Sequence, residues 1–342
     1  MRVFRILAPI VTLLMVALSL FAASSPGYRV AKTYNLGGEG GWDYLTFDNS
    51  THYLYISRAT HVIVFDTDSG KQVADIGDTP GVHGVAIAAD LGKLFVSNGR
   101  ENTVSVVDLK TFKTLNKIKV GENPDAIVYD TASKRVFTFN GHSHDATAID
   151  AEKGTVAGTI KLEGKPEFAV SDGKGGLFVN IEDKNQIDSL DPSGLKVKAN
   201  WPMEGCEGPS GLSMDYKNRR LFSGCDKMMA IMDADSGKMV SHLPICDGVD
   251  ATAYDDETKL AFASCGDGQL TVIHEDSPDK FTVAENVPTQ KGARTMALDP
   301  KTHNIYTVTA KFGPPQAATA QNPRPRPSIQ PESFVLLVLG KK

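Results

Sequence analysis

Short apolar runs broken by tight polar turns repeat along this chain, and the repeat keeps time. A bulky pair ends one run at Tyr55-Ile56, Phe95-Val96, Phe137-Thr138, Phe178-Val179, Phe222-Ser223, Phe262-Ala263 and Tyr306-Thr307, at successive spacings of 40, 42, 41, 44, 40 and 44 residues. An acidic turn residue follows in phase at Asp66, Asp108, Asp150, Asp191 and Asp233, with His274 in the sixth place. A period in this range marks an array of small units, none able to bury its apolar face alone.

Each unit reads as four strands, labelled A to D from the ring axis outward. In the second unit A is Gly84 to Ala88, B is Lys93 to Ser97, C is Thr103 to Val107 and D is Thr114 to Val120. β-Branched residues and tight turns suit strands and disfavour helices. Asp at the start of the C–D turn can accept a nearby backbone N–H, and Gly70, Gly154 and Gly237 supply positive φ. A radial ring of four-stranded blades leaves only short, protected edges. The expected fold is therefore all-β, a seven-bladed β-propeller of antiparallel blades. Closure is legible too. Tyr28 to Gly37 resembles a strand D with no A to C before it, while the last unit has A at Arg294 to Leu298, B at Asn304 to Thr309 and C at Phe334 to Leu339, then stops. The orphan strand is expected to complete the last blade. Between B and C of that blade, Phe312 to Glu332 is rich in Pro, Ala and Gln and reads as a flexible loop insert (313–332).

Phe95-Val96-Ser97-Asn98, followed by Asn102 to Asp108, resembles the YVTN repeat of seven-bladed propellers, including the YncE-like group, and Phe137-Thr138-Phe139-Asn140 is a second good copy. The resemblance covers nearly all of residues 28–342. Its fourth letter departs at Arg58, Ile181, Cys225, Cys265 and Thr309. It implies a secreted or periplasmic propeller without implying a reaction; one branch of the family is linked to DNA binding.

Composition bears on location and partners. Met1 to Arg5 is basic, Ile6 to Phe21 is apolar, and Ala22 to Ser25 is small, the layout of a secretory signal over 1–24, leaving a single domain over 25–342. A retained anchor is the alternative, although the apolar run is short for a spanning helix. No other segment is long and apolar enough to cross a bilayer. Without Arg2 and Arg5, 34 bases stand against 41 acids, a net charge of −7. Blocks of Lys and Arg are absent, which disfavours nucleic acid as a partner. The mature chain is expected as a periplasmic or extracellular monomer.

The best chemical constellation comes from counting five residues back from the end of each strand A. Asp43, His83, Asp125, Glu167, Ser210, Asp250 and Arg294 fall there, one per blade, and should ring the mouth of the central channel on the face shared by the D–A and B–C loops. Trp42 offers an aromatic wall or a packing residue beside them. The oxygen donors Asp43, Asp125, Glu167 and Asp250 suit Ca²⁺, Mg²⁺ or Mn²⁺, and His83 admits a softer metal. Polar residues at a wet channel mouth equally need no ligand, and Arg294 can neutralise Glu167 or Asp250. His142, His144 and Asp145 in a B–C loop form a second candidate metal group, with His61 and His83 as further ligands.

Cys206 and Cys246 precede successive strands A, and Cys225 and Cys265 end the matching strands B. These strands are antiparallel neighbours, so pairing Cys206 with Cys225 and Cys246 with Cys265 gives one bridge per blade in an oxidising compartment. Buried thiols and bridges between blades remain as alternatives. No C-x-x-C spacing supports a tetrathiolate site, and no G-x-S-x-G, H-E-x-x-H or P-loop is present. No motif requires a cofactor; a divalent ion is the one candidate. The chain therefore reads as a binding or scaffold module for a small ligand or protein partner. The alternative is a lactonase-like metal hydrolase, with a channel-mouth ion polarising the substrate and a carboxylate as base.

Overall fold

The structure is a computed structural model describing residues 25–314 and 327–341. The expected signal segment lies outside the described residues, as does the middle of the 313–332 insert. Seven sheets of four antiparallel strands follow one another around a ring. Blade one, for example, runs Leu45–Asp48, Tyr53–Arg58, His61–Asp66 and Lys71–Ile76, from innermost to outermost. No helix among the described residues is long and apolar enough to cross a membrane.

The periodic aromatics explain why the blades stack. Tyr55, Phe95, Phe137, Phe178, Phe222, Phe262 and Tyr306 are all buried on strand B. Seven apolar clusters form, each joining two neighbouring blades: Val62, Val64 and Tyr55 of blade one meet Val85, Leu94 and Val96 of blade two, and so on around the ring. Burying those faces removes apolar area that a lone blade would leave in water. The acidic beacons close the C–D turns as expected. Asp108 Oδ1 accepts the Thr111 N–H at 2.7 Å, Asp191 Oδ1 that of Gly194 at 2.8 Å and Asp233 Oδ1 that of Ser236 at 2.8 Å. His274 breaks the pattern and contacts Asp276 instead.

The ring closes through the N-terminal strand. Tyr28–Asn35 pairs antiparallel with Val335–Lys341, which pairs with Asn304–Thr309 and then Met296–Asp299. The closing strand is two residues shorter than expected, because Leu36 and Gly37 both turn their N–H groups onto the Phe334 carbonyl. The innermost strand begins at Met296, so Arg294 belongs to the loop before it. The insert is ordered at its base. Phe312 bridges Ile329, Gly313 N–H donates to Ser328 O at 2.7 Å, and Gln330 N–H to Lys311 O at 2.8 Å. An antiparallel neck thus replaces the expected loop at both ends of that stretch.

Cys206–Cys225 and Cys246–Cys265 are both disulfides, each within one blade, and no free cysteine remains. Two disulfides and the lack of a membrane-spanning helix among the described residues fit an extracellular or periplasmic protein.

Tyr28 pins the seam. Its ring packs edge-on against Phe262 at 5.3 Å, its hydroxyl donates to His303 O at 2.9 Å, and its N–H donates to Glu285. Replacing it empties a buried site at the joint, so Tyr28→Ala should cost about 3 kcal/mol in urea unfolding, against less than about 0.5 kcal/mol for exposed Arg29→Ala on the same strand. Equal effects at the two positions would mean that the seam is not held there.

Candidate functional site at the channel mouth

The seven ring residues reach the mouth in two ways. In the four longer innermost strands, the register with strand B slips where the ring residue sits: between Val82 and Val85, Pro124 and Ile127, Pro166 and Ala169, and Val249 and Ala251. His83, Asp125, Glu167 and Asp250 occupy those irregularities, which leave the ladder locally and re-aim a side chain. Asp43, Ser210 and Arg294 instead sit two residues before shorter innermost strands.

Cross-blade hydrogen bonds fix this geometry. Ser97 Oγ accepts the Gly84 N–H at 2.9 Å and donates to the Asp125 carbonyl of the next blade at 2.7 Å. Asn180 Nδ2 donates to the Ser210 carbonyl at 2.8 Å, and Ser264 Oγ to the Arg294 carbonyl. Each stitch ends on the backbone of a ring residue one blade on. The loop face is continuous as well: B–C turns donate into D–A loops through Gly99 N–H to Gly81 O, Gly141 N–H to Asn123 O and Gly266 N–H to Gly248 O.

The ring neutralises itself in three groups. His83 Nδ1 lies 2.7 Å from Asp43 and 3.4 Å from Asp125. Arg294 pairs with Asp250, which also accepts from Ser210 Oγ at 3.2 Å. Lys165, from the loop before strand A of blade four, bridges Glu167 at 2.5 Å and Glu182. Burial disfavours the His83 imidazolium, but the Asp43 hydrogen bond and the charges of Asp125, Asp43 and Glu167 outweigh it and raise the pKa to about 9. Burial pushes Asp250 up to about 6 despite Arg294, and burial with the Asp125 charge pushes Glu167 up to about 8 despite Lys165. Burial also raises Asp125, against the pull of His83. Gly99 permits the packing, since a Cβ there would meet His83 Nε2 at 2.6 Å and Asn123 Oδ1 at 2.8 Å.

The mouth is shallow. Tyr44 of blade one crosses the axis to Phe168 of blade four, edge to face at 4.5 Å, with a void of about 60 Å³ beside them. Burial raises the Tyr44 phenol well above its usual range, and the charges of Asp125, Glu167, Asp43 and Asp250 add to this. It is therefore a neutral floor under four acids.

Of the five residues considered as metal ligands, Asp43, His83 and Asp125 bring ligand atoms within 4.8 Å of one another. Glu167 and Asp250 are engaged with Lys165 and Arg294. The trio holds a proton at neutral pH, and a metal must displace it, because only neutral imidazole ligates. Cys246, Cys265 and Asp267 also approach one another, but both sulfurs are in the disulfide. Among the described residues the expected His142 group does not assemble. Asp145 accepts from Asn140 and Ser143, and His61 faces Asp75 at 3.8 Å. Trp42 packs on Phe334 at 5.4 Å and Phe312 at 6.1 Å, and it lines a cleft beside Arg294. Sequence reasoning missed Tyr44, Lys165, Ser97, Asn180 and Ser264. A small polar residue near the end of strand B was the available signal for the last three.

No family model matches the chain, and no curated protein matches it. Solved structures do. The chain is similar to Kuenenia stuttgartiensis hydrazine synthase (17% identity, TM-score 0.69, covering 80% of this chain and 94% of that one). It is also similar to a chain of the mitotic checkpoint complex (15%, 0.71, 98% of each) and to U3-55K (9%, 0.75, 91% and 99%). At these identities the likeness shows the fold alone, a seven-bladed propeller.

His83, Glu167 and Asp250 all hold protons more tightly folded than unfolded. Each therefore contributes stability that is complete below its ordinary pKa and lost as pH rises through the folded value. The melting temperature should fall between about pH 4 and 9. Glu167→Gln should flatten the fall by a few degrees between about pH 4.5 and 8; parallel curves for the two proteins would place Glu167 outside this balance.

Proposed function

We propose that this protein is an exported binding module of the YVTN-repeat propeller type that recognises the cationic group of a small ligand or protein partner at the channel mouth. The carrying observation is the Asp43–His83–Asp125 group, two carboxylates already arranged around one positive charge. A ligand cation takes over that charge as His83 releases its proton, while Tyr44 and Phe168 floor the site so that only a head group enters. Arg294 and Lys165 take up Asp250 and Glu167, so only two of the four ring carboxylates are left for a metal, which favours binding over hydrolysis. Similarity to a chain of the mitotic checkpoint complex supports a propeller of this size acting within an assembly. The basic-apolar-small start of the chain and the paired cysteines support export.

A lactonase-like hydrolase with a divalent ion on Asp43, His83 and Asp125 is the second reading, favoured by the mutual approach of those ligand atoms. Titration calorimetry with methylguanidinium, which stays charged throughout, separates the two. Affinity should rise with pH, by up to about tenfold per unit between pH 7 and 9, because binding expels the His83 proton. It should disappear in the Asp43→Asn, Asp125→Asn double variant. No heat at millimolar probe at either pH would falsify the cation reading. Mn²⁺ or Zn²⁺ binding far tighter than methylguanidinium would move the conclusion to the metal.

A further inference from the structure

Beside the ring, on the same face, lies a cleft of about 460 Å³ whose walls are mostly apolar. Trp42, Phe312, Pro327 and Ile329 line it, and Arg294 reaches its edge. The size is ordinary for a small-molecule site, and so is the chemistry: apolar walls with one charged group. Its walls are braced. Phe334 packs on Trp42, and the buried Arg58 guanidinium sits over the Phe334 ring, 3.9 Å from its centroid. Arg58 in turn donates to the carbonyls of Gly40, Gly41 and Gly37, which fixes the segment leading into Trp42. Phe312 and Ile329 form the hydrogen-bonded neck of the insert. Gly292, at φ 84°, lets the Phe312 ring lie close, since a Cβ there would meet that ring at 2.7 Å.

Two donors here lack protein acceptors among the described residues. Arg294 gives Nη1 to Asp250, and nothing accepts from its Nε or Nη2, though the side chain is only 33% exposed. The Trp42 indole Nε1 is buried with no hydrogen-bond partner and offers no surface to a ligand, so Arg294 is the donor that the cleft presents. A guanidinium edge with two free N–H groups matches an oxyanion bidentately. The acids at the ring set which oxyanion: with Asp250, Asp43 and Asp125 acting on Arg294, a dianionic phosphate is repelled more than a monoanion.

We propose that this cleft binds a small carboxylate with an aromatic or bulky apolar body, its carboxylate on Arg294 and its body against Trp42, Phe312 and Ile329. The site is separate from the cation position at Asp43 and Asp125 and stands whether or not that position is used. The probes are 3-phenylpropionate and its uncharged amide, followed by calorimetry on the full chain and by Trp42 fluorescence in a Trp201→Phe background. The acid should bind at least about tenfold tighter than the amide. Arg294→Gln should abolish that preference, and Arg294→Lys, which keeps the charge but not the fork, should retain only part of it. Gly292→Ala, which displaces Phe312, should weaken both probes alike. Methylguanidinium titration of Arg294→Gln shows whether the mouth remains intact, and the Asp43→Asn, Asp125→Asn double variant should still bind 3-phenylpropionate. Equal affinity for acid and amide, an acid preference that survives Arg294→Gln, or no binding at millimolar probe overturns the proposal.

Discussion

Everything at the mouth depends on one strand pairing, Tyr28–Asn35 against Val335–Lys341. Seven blades arranged radially bury seven apolar interfaces only if the ring is closed; an open row of the same blades buries one fewer. It also leaves two apolar blade faces in water. The missing interface would be the one that joins Leu45, Leu54 and Ile56 of blade one to Tyr306, Val308 and Leu336 of blade seven. Closure by a strand borrowed from the other end of the chain makes the last blade part of the ring and part of both termini. It also places Arg294 of blade seven near Asp43 of blade one, groups that lie far apart in sequence.

Given that frame, the mouth is an electrostatic solution to a crowding problem. Four acids converge on one small opening, and leaving them all ionised and unpaired in a partly buried site would be costly. The chain supplies three positive partners of its own. One acid is matched by Arg294, a second by Lys165, and the remaining two share the His83 proton. The third arrangement differs in kind from the others. An arginine or lysine charge is permanent at any physiological pH, whereas an imidazolium with a pKa of about 9 can be given up to a competitor that brings its own charge. That asymmetry singles out Asp43 and Asp125 for the cation recognition proposed above.

The sequence made the ring, its closure and the two cystines legible, because each depends on period or strand alternation. What it concealed depends on departures from them. His83, Asp125, Glu167 and Asp250 reach the mouth through register slips, and a slip has no periodic mark. Tyr44 looks like one more apolar strand residue, yet it crosses the axis to Phe168, a contact no local pattern encodes. Lys165 lies two residues from Glu167 in a loop, where alternation says nothing about direction. The His142 and His144 pair shows the converse. Proximity in sequence suggested a site, and the fold tied Asp145 to Asn140 and Ser143 instead.

The variable fourth letter of the repeat is where these threads meet. In blades two and three, Asn98 and Asn140 donate across to strand C, to Thr103 and Ser105 and to Asp145 and Thr147. In four of the other five blades, Ile181 of blade four being the exception, the same position grips the loop that carries the mouth residue. Arg58 holds the Gly37–Gly41 turn, Thr309 donates to Lys291, and Cys225 and Cys265 are bonded to Cys206 and Cys246. Cys206 and Cys246 each stand four residues before Ser210 and Asp250, so the two cystines tether adjacent sectors of the ring covalently where others use hydrogen bonds. A hydrogen bond to such a loop contributes about 1 kcal/mol net, and a cystine closing a loop of this length about 3 kcal/mol. The difference falls where Asp250 must be held against Arg294. The fourth letter varies in identity because the requirement is mechanical, and several chemistries can meet it.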